Sequence, residues 1–270
     1  MRKYNITIIG CGNMGTVIME RLLSAGYVTK KTLTIVDNNP LTLAKLKKTG
    51  IKVENDLVKA VAKAEIIFLA VKPQQYQLIA NDLKAKLRAG QIVISIMAGV
   101  TYKALAKRLS HKNIVRTMPN LAAKIGESIS VWYTPEEFVK KNKKTIENLL
   151  SVIGDSLQVK NEAMLDKTTA ISGSGPAYFF YIAELLEQQA CDFGFTAEEA
   201  NKLVSQTFYG AAQLLDNDIR SSKDLRQAVT SKNGTTEAAL KKLGPQFVKI
   251  WKGAINAAYQ RAKVISKEYE

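Results

Sequence analysis

Residues 5–26, NITIIGCGNMGTVIMERLLSAG, carry the decision about the fold. The run Ile6–Ile9 is short, apolar and rich in β-branched residues, which suits a buried strand. Glycines follow at Gly10, Gly12 and Gly15, and from Met14 onward apolar residues return at helical spacing. A strand, a glycine-rich turn and a helix in that order bring backbone N–H groups and the positive end of a helix to one point. One glycine permits the tight reversal, a second lets an anion reach the backbone, and a third lets helix and strand pack closely. The pattern predicts that Gly10, Cys11, Gly12, Asn13, Met14 and Gly15 cradle the pyrophosphate of a dinucleotide. Taken alone, the same glycines would also serve a merely structural turn.

Outward from that turn, the runs LTIVD, EIIFLAV, QIVISIM and NIVRTM alternate with helical patterns as far as about residue 160. That alternation predicts an α/β fold: a doubly wound parallel sheet of the Rossmann type over residues 1–161. From residue 162 to 270 the strand signals stop, and 176–194, 197–217 and 246–266 carry apolar residues at three- and four-residue spacing. Their aromatic and aliphatic residues (Phe179, Phe180, Tyr181, Phe208, Tyr209, Trp251, Tyr259) spread around too much of each helix for a lone bundle to hide. An all-α C-terminal domain that packs against a second copy of the chain is therefore expected.

Asp37 follows the second strand run, 37 − 15 = 22 residues beyond Gly15. An acid there can accept from a ribose 2′-hydroxyl and repels a 2′-phosphate, so Asp37 leans toward NADH over NADPH. Lys45, Lys47 and Lys48 remain within reach of a phosphate. The competing reading is a helix cap, which Asn38 or Asn39 could supply equally well.

Composition narrows the function further. The 270 residues are 46% hydrophobic and carry a net charge of +15. The lysines interleave with apolar residues in helical segments such as FVKKNKKTIENLL, the pattern of solvated helix faces rather than of a nucleic-acid surface. No apolar run approaches the length of a membrane span, and nothing at the start resembles a signal peptide, so a cytoplasmic protein is expected. Cys11 and Cys191 fit neither a disulfide framework nor a metal site, and His111 is the only histidine. Metal catalysis and histidine triads are thereby disfavoured.

Six motifs in order, GCGNMG (10–15), FLAVKPQ (68–74), SIMAGV (95–100), RTMPN (116–120), SGSGPAY (172–178) and AVTSKNGTTEAAL (228–240), resemble pyrroline-5-carboxylate reductases over essentially the whole chain. The resemblance implies an N-terminal Rossmann domain, a C-terminal dimerisation domain and reduction of Δ1-pyrroline-5-carboxylate to L-proline with NADPH or NADH. It implies cofactor contacts from Ala70, Val71, Lys72, Pro73, Ala98, Gly99 and Asn120, with Met97 and Met118 nearby, and places Asn55 on the adenosine side. It assigns the substrate carboxylate to the amides of Asn233, Gly234 and Thr235, lines the same pocket with Val229 and Ser231, and sets Thr236 against the ring nitrogen as the catalytic group. Such a site suits the start of a helix, and Glu237 could equally cap that start. From sequence, Pro73 is expected to end its strand and Asn55 could cap the following helix. Two departures from the family stand out: Lys232-Asn233 where it commonly has Pro-Gly, and Asp37-Asn38 in place of the pair usual in NADPH-preferring members.

Two rivals are weighed beside this. β-Hydroxyacid dehydrogenases share the layout but place a catalytic lysine four residues after the last glycine of their C-terminal motif, and here that position is Phe179. A non-catalytic dinucleotide sensor would have no use for the SKNGTT loop. A reductase of a related cyclic imine stays open. The partners expected are a small imino acid and further copies of the chain, as a homodimer or an assembly of dimers.

Overall fold

The computed structural model describes residues 2–84 and 86–269. Its strands are β1 (Ile6–Ile9), β2 (Leu33–Val36), β3 (Lys52–Val53), β4 (Ile66–Leu69), β5 (Ile92–Ser95), β6 (Ile114–Met118), β7 (Ser128–Tyr133) and β8 (Gly154–Gln158). Its helices are α1 (Asn13–Ser24), α2 (Pro40–Lys48), α3 (Leu57–Ala62), α4 (Pro73–Leu83), α5 (Tyr102–Leu109), α6 (Glu136–Leu150), α7 (Met164–Thr168), α8 (Gly175–Asp192), α9 (Ala197–Asn217), α10 (Ser222–Ala228) and α11 (Thr235–Glu268). They form two compact units, one of residues 1–174 and 258–270, the other of residues 175–257.

In the first unit all eight strands join one sheet, ordered β3-β2-β1-β4-β5-β6-β7-β8. Strands β1 to β6 are parallel, as the alternation of strand and helix predicts. Residues of β1, β2, β4 and β5 are nearly all buried, because helices cover both faces. One face packs Ile6, Ile8, Ile35 and Phe68 against Ile18 and Leu22 of α1. The other packs Ile67, Leu69 and Val93 against Tyr76 and Leu83 of α4 and Leu105 of α5. Strand order reverses between β1 and β4, which leaves a crevice beyond their carboxyl ends.

The sheet extends further than the strand runs in the sequence. β7 lies antiparallel to β6, and β8 runs parallel to β7. β8 reads GDSLQ, with no fully buried residue, so no apolar run announces it. It forms because Gly154 comes so close to Ser128 that an added Cβ would lie 2.0 Å from the Ser128 carbonyl oxygen. Pro73 does not end a strand: β4 stops at Leu69, and Pro73 opens α4, where a missing N–H costs nothing.

Residues 162–174 pack with this first unit, and α7 lies against β6 and β7. The compact units therefore divide at 174/175, not at the 161/162 boundary where strand signals stop. The end of α11 also belongs to the first unit: Tyr269 is buried in the cluster that contains Met97, Val100 and Leu105.

The second unit holds the α8–α9 pair, α10 and the first part of α11. Thr196 and Glu199 cap α9 reciprocally, each accepting the other's backbone N–H, at 3.3 and 2.9 Å. Trp251 meets Tyr178 edge-on at 5.7 Å and stacks on Phe247 at 5.6 Å. α11 is interrupted at Gly244 (φ 17°, ψ −134°), immediately before Pro245, whose ring cannot continue a helical hydrogen-bond ladder. Phe179, Phe180, Tyr181 and Tyr209 stand 57–62% exposed, while Phe208, Trp251 and Tyr259 are half-buried.

Candidate active site

A cleft of about 920 Å³ opens in the first unit beside the glycine-rich turn. Gly10, Cys11, Gly12, Asn13, Asp37, Asn55, Ala70, Val71 and Lys72 all line it. Each glycine in the turn does separate work. Gly10 has φ +93°, and a Cβ there would lie 2.6 Å from the Ala70 carbonyl oxygen. Gly15 lies beneath the turn, where a Cβ would sit 2.0 Å from the Gly10 carbonyl oxygen. Gly12 has open space around it and is exposed at the rim.

The start of α1 is built to receive an anion. Gly12 is its N-cap and supplies no side-chain cap, and no acid sits in the first turn. The first amides of the helix are therefore left to a ligand. Among the described residues that line the cleft, Lys72 is the only cation and Asp37 the only acid. Burial pushes the Cys11 thiol above its ordinary value, so the turn carries no thiolate to oppose a phosphate.

Asp37 has a definite place. Its Oδ2 accepts the Cys11 N–H at 2.6 Å and its Oδ1 accepts the Asn39 N–H at 2.8 Å. It does not cap α2; Asn39 does, through Oδ1 and the Leu41 N–H at 3.0 Å. Asn55 likewise is not a helix cap, because Asp56 fills that position for α3 by accepting from Val58 and Lys59. Asn55 instead lines the cleft, as do Asn38, Asn39 and Thr42. As cleft residues Thr42 and Gln75 of α4 escaped sequence reasoning, and only nearness in the chain, to Asp37 and to Pro73 respectively, could have suggested them.

Met14, Gly15, Pro73, Ala98, Gly99 and Asn120 do not line this cleft. Gly15 supports it from below and Pro73 starts α4. Asn120 is held at the end of β6, where its N–H donates to Ser128 Oγ at 2.9 Å and its Oδ1 accepts from Ala122. Gly99 has φ +77° and is pressed against Ile265. Thr169–Gly173 makes a single π turn that sets Gly173 against Met118, giving the glycine before Ser174 a packing role.

In the second unit, residues 229–234 link α10 to α11. The Gly234 N–H donates to the Ser231 carbonyl at 3.0 Å, closing a turn whose third residue, Asn233, has φ +59°. Left-handed backbone at that position favours Gly and tolerates Asn. Asn233 thus preserves the turn that the family's usual Pro-Gly would make. A Cβ on Gly234 would lie 2.3 Å from Ser231 Oγ, so a side chain there would force that hydroxyl to rotate away.

The Asn233 N–H donates to Glu237 Oε2 at 2.7 Å, and Lys241 Nζ lies 3.4 Å from the same oxygen. Two of the three amides expected to meet a carboxylate are thus engaged within the chain, one by a carboxylate already. Thr235 and Thr236 open α11 with amides that no earlier turn can satisfy. Thr236 is half-buried and Val229 is 66% exposed. Thr230 returns its hydroxyl to the Arg226 carbonyl at 2.6 Å, whereas the Thr236 hydroxyl has no hydrogen bond among the described residues.

Residues 162–265 match the family model described as pyrroline-5-carboxylate reductase dimerisation, and residues 5–99 match one described as coenzyme F420-dependent NADP oxidoreductase. A pyrroline-5-carboxylate reductase from Pasteurella multocida is 35% identical, with 99% of each chain covered. The solved structure of a pyrroline-5-carboxylate reductase from Coxiella burnetii is similar at a TM-score of 0.89 and 35% identity, covering 98% of this chain and 99% of that one. A pyrroline carboxylate reductase from Plasmodium falciparum, solved with NADP bound, has a TM-score of 0.87 and 25% identity over the same shares.

Proposed function

Because the chain belongs to the pyrroline-5-carboxylate reductase family, we propose that the cleft beside α1 holds the reduced cofactor and that the start of α11 holds the substrate. The chain is an NAD(P)H-dependent oxidoreductase that reduces Δ1-pyrroline-5-carboxylate to L-proline, the last step of proline biosynthesis. It assembles with copies of itself through the helical region at 162–265.

The cleft fits a dinucleotide on its own chemistry: open space over Gly12, an uncapped and acid-free helix start, and Asp37 and Asn55 where an adenosine would lie. When bound, NAD(P)H supplies the hydride. In this assignment the amides at the start of α1, from Gly12 to Gly15, take the pyrophosphate over the turn that Gly10 and Cys11 shape, and Asp37 accepts from the ribose 2′-hydroxyl, favouring NADH. Ala70, Val71, Lys72 and Pro73 lie along the cofactor, and Ala98, Gly99 and Asn120 border its nicotinamide end.

The substrate is a cyclic imine bearing a carboxylate, so the protein must anchor an anion and keep the ring nitrogen hydrogen-bonded as hydride reaches carbon. The amides of Asn233, Gly234 and Thr235 take the carboxylate, with Glu237 giving up its hold on Asn233 and the Gly234 N–H sharing itself between the Ser231 carbonyl and the substrate. Val229 and Ser231 wall the pocket. Thr236 directs its hydroxyl to the ring nitrogen, which it can serve as donor or acceptor without carrying charge. Orientation and preorganised dipoles then supply the rate without a metal or a nucleophile.

By function rather than by compact unit, the domains are 1–161 for cofactor and 162–270 for dimerisation and substrate, a division supported by the family model matched at 162–265. A homodimer or an assembly of dimers covers Phe179, Phe180, Tyr181 and Tyr209. Both cysteines are free, which suits a reducing compartment such as the cytoplasm.

The observation that carries the reading is the half-buried Thr236 hydroxyl, without a hydrogen bond among the described residues, two positions after the Ser231–Gly234 turn. Thr236→Ala should lower kcat for pyrroline-5-carboxylate by about 10-fold or more while cofactor affinity holds. Wild-type turnover in that variant would remove Thr236 from the reaction.

A further inference from the structure

The β5–α5 loop, Met97 to Thr101, is held from several sides by groups far away in sequence. Ser95 Oγ accepts the Met97 N–H at 3.3 Å at the base of the loop. At its far end, Glu162 Oε1 accepts the Tyr102 N–H and pairs with the buried Arg116 of β6, each at 2.5 Å. From above, the final turns of α11 press on the loop's middle. A Cβ on Gly99 would lie 2.5 Å from Ile265 Cγ2 and 3.0 Å from the Ile265 carbonyl carbon.

Those final turns are themselves anchored. Ser266, 6% exposed, donates through Oγ to Asp166 Oδ1 of α7 at 2.9 Å. Tyr269 is buried with Met97, Val100 and Leu105. Glu162 and Asp166 lie four residues apart at the start of α7, so one short segment holds both the loop and the helix that presses on it.

We propose that Ser266, Asp166 and Glu162 are positioning residues for hydride transfer: they fix the backbone of Met97–Gly99, and with it the wall against the nicotinamide. The proposal rests on the reading that Ala98 and Gly99 border the nicotinamide. The geometry goes beyond folding stability because the contacts converge on a loop whose single glycine leaves no slack. With Gly99 at φ +77° and Ile265 within contact distance, a small shift of α11 moves the loop directly. Displacements of about 1 Å at a reacting centre are costly in rate.

The test uses the full-length protein as Ser266→Ala, Asp166→Ala, the double variant and Asp166→Asn. Each alanine single variant should lower kcat with pyrroline-5-carboxylate by about threefold to tenfold. The double variant should lose no more than either single one, because they break one hydrogen bond. Asp166→Asn keeps an acceptor oxygen and should retain kcat. Affinity for ADP-ribose, which lacks the nicotinamide, should stay unchanged throughout. Wild-type kcat in Ser266→Ala, or additive losses in the double variant, would overturn the proposal. With methyl-labelled methionine, the Met97 signal should respond to NADPH beyond its response to 2′-phospho-ADP-ribose. If it does not, the loop does not border the nicotinamide, and the reading beneath the proposal falls with it.

Discussion

Asp37→Ser separates the duty that the structure shows for this carboxylate, bracing the turn, from the cofactor selectivity we propose for it. The carboxylate receives the Cys11 N–H at 2.6 Å and the Asn39 N–H at 2.8 Å, so it ties the glycine-rich turn to the turn after β2. Serine has one oxygen on a shorter side chain and can keep at most one of these bonds. A hydrogen bond to a charged acceptor contributes about 1.5–3 kcal/mol, and the half-exposed setting argues for the lower end. Losing about 1.5 kcal/mol of turn stabilisation weakens NADH by roughly tenfold. NADPH suffers the same loss but gains relief: a carboxylate and a doubly charged phosphate about 6 Å apart repel by about 1.4 kcal/mol at the dielectric of water. The two effects nearly cancel for NADPH. The ratio of kcat/KM for NADH over NADPH should therefore fall about tenfold, chiefly through NADH. Steady-state kinetics with both cofactors at saturating imine read this directly, with binding titrations to apportion the change. An equal fall for both cofactors would leave Asp37 as a brace without any part in selectivity, and no change in either would refute both duties.

Gly15→Ala would place a Cβ 2.0 Å from the Gly10 carbonyl oxygen, a backbone atom that cannot turn aside. It should destabilise the protein by about 1–3 kcal/mol in denaturant melts and raise the Kd for either cofactor at least about tenfold; retention of wild-type affinity would detach the α1 start from cofactor binding. Asn233 holds φ +59°, so Asn233→Val should cost about 1–2 kcal/mol and raise KM for the imine, while Asn233→Gly leaves KM near wild type; equal KM values would deny the turn its role. His111 is buried and donates Nε2–H to the Gln91 carbonyl at 2.9 Å, and burial holds its pKa below the ordinary 6.5. The unfolded chain thus takes up the proton first as pH falls. The associated stability is full above pH 6.5 and is lost below it, down to the depressed folded value. Melting temperatures should drop over that window in the wild type and drop less in His111→Gln; parallel curves would clear His111.

What the sequence determined by itself is what local chemistry dictates. Ile6–Ile9 followed by Gly10, Gly12 and Gly15 can hardly be anything but a strand, a tight turn and a helix, because only glycine fits φ +93° and a 2.0 Å approach. The runs at β4 and β5 are almost wholly apolar because each lies between two helical layers, and that burial is written into composition. The exposed aromatics of α8 and α9 were legible for the converse reason, as apolar residues with no face of their own chain to cover them.

The tertiary structure decided whatever depends on a partner distant along the chain. β8 is polar and exists through its pairing with β7. The Asp37 carboxylate bonds to Cys11, 26 residues away, and to Asn39, so the choice between helix cap and brace required the fold of the turn. Residues 162–174 and the end of α11 join the first unit because Glu162 meets Arg116 and Ser266 meets Asp166, across 46 and 100 residues. Periodicity reports which residues within a helix share a face. It carries no information about which face of another element will meet them, because that is set by packing and by the pairing of buried charges and hydroxyls once the chain has closed on itself.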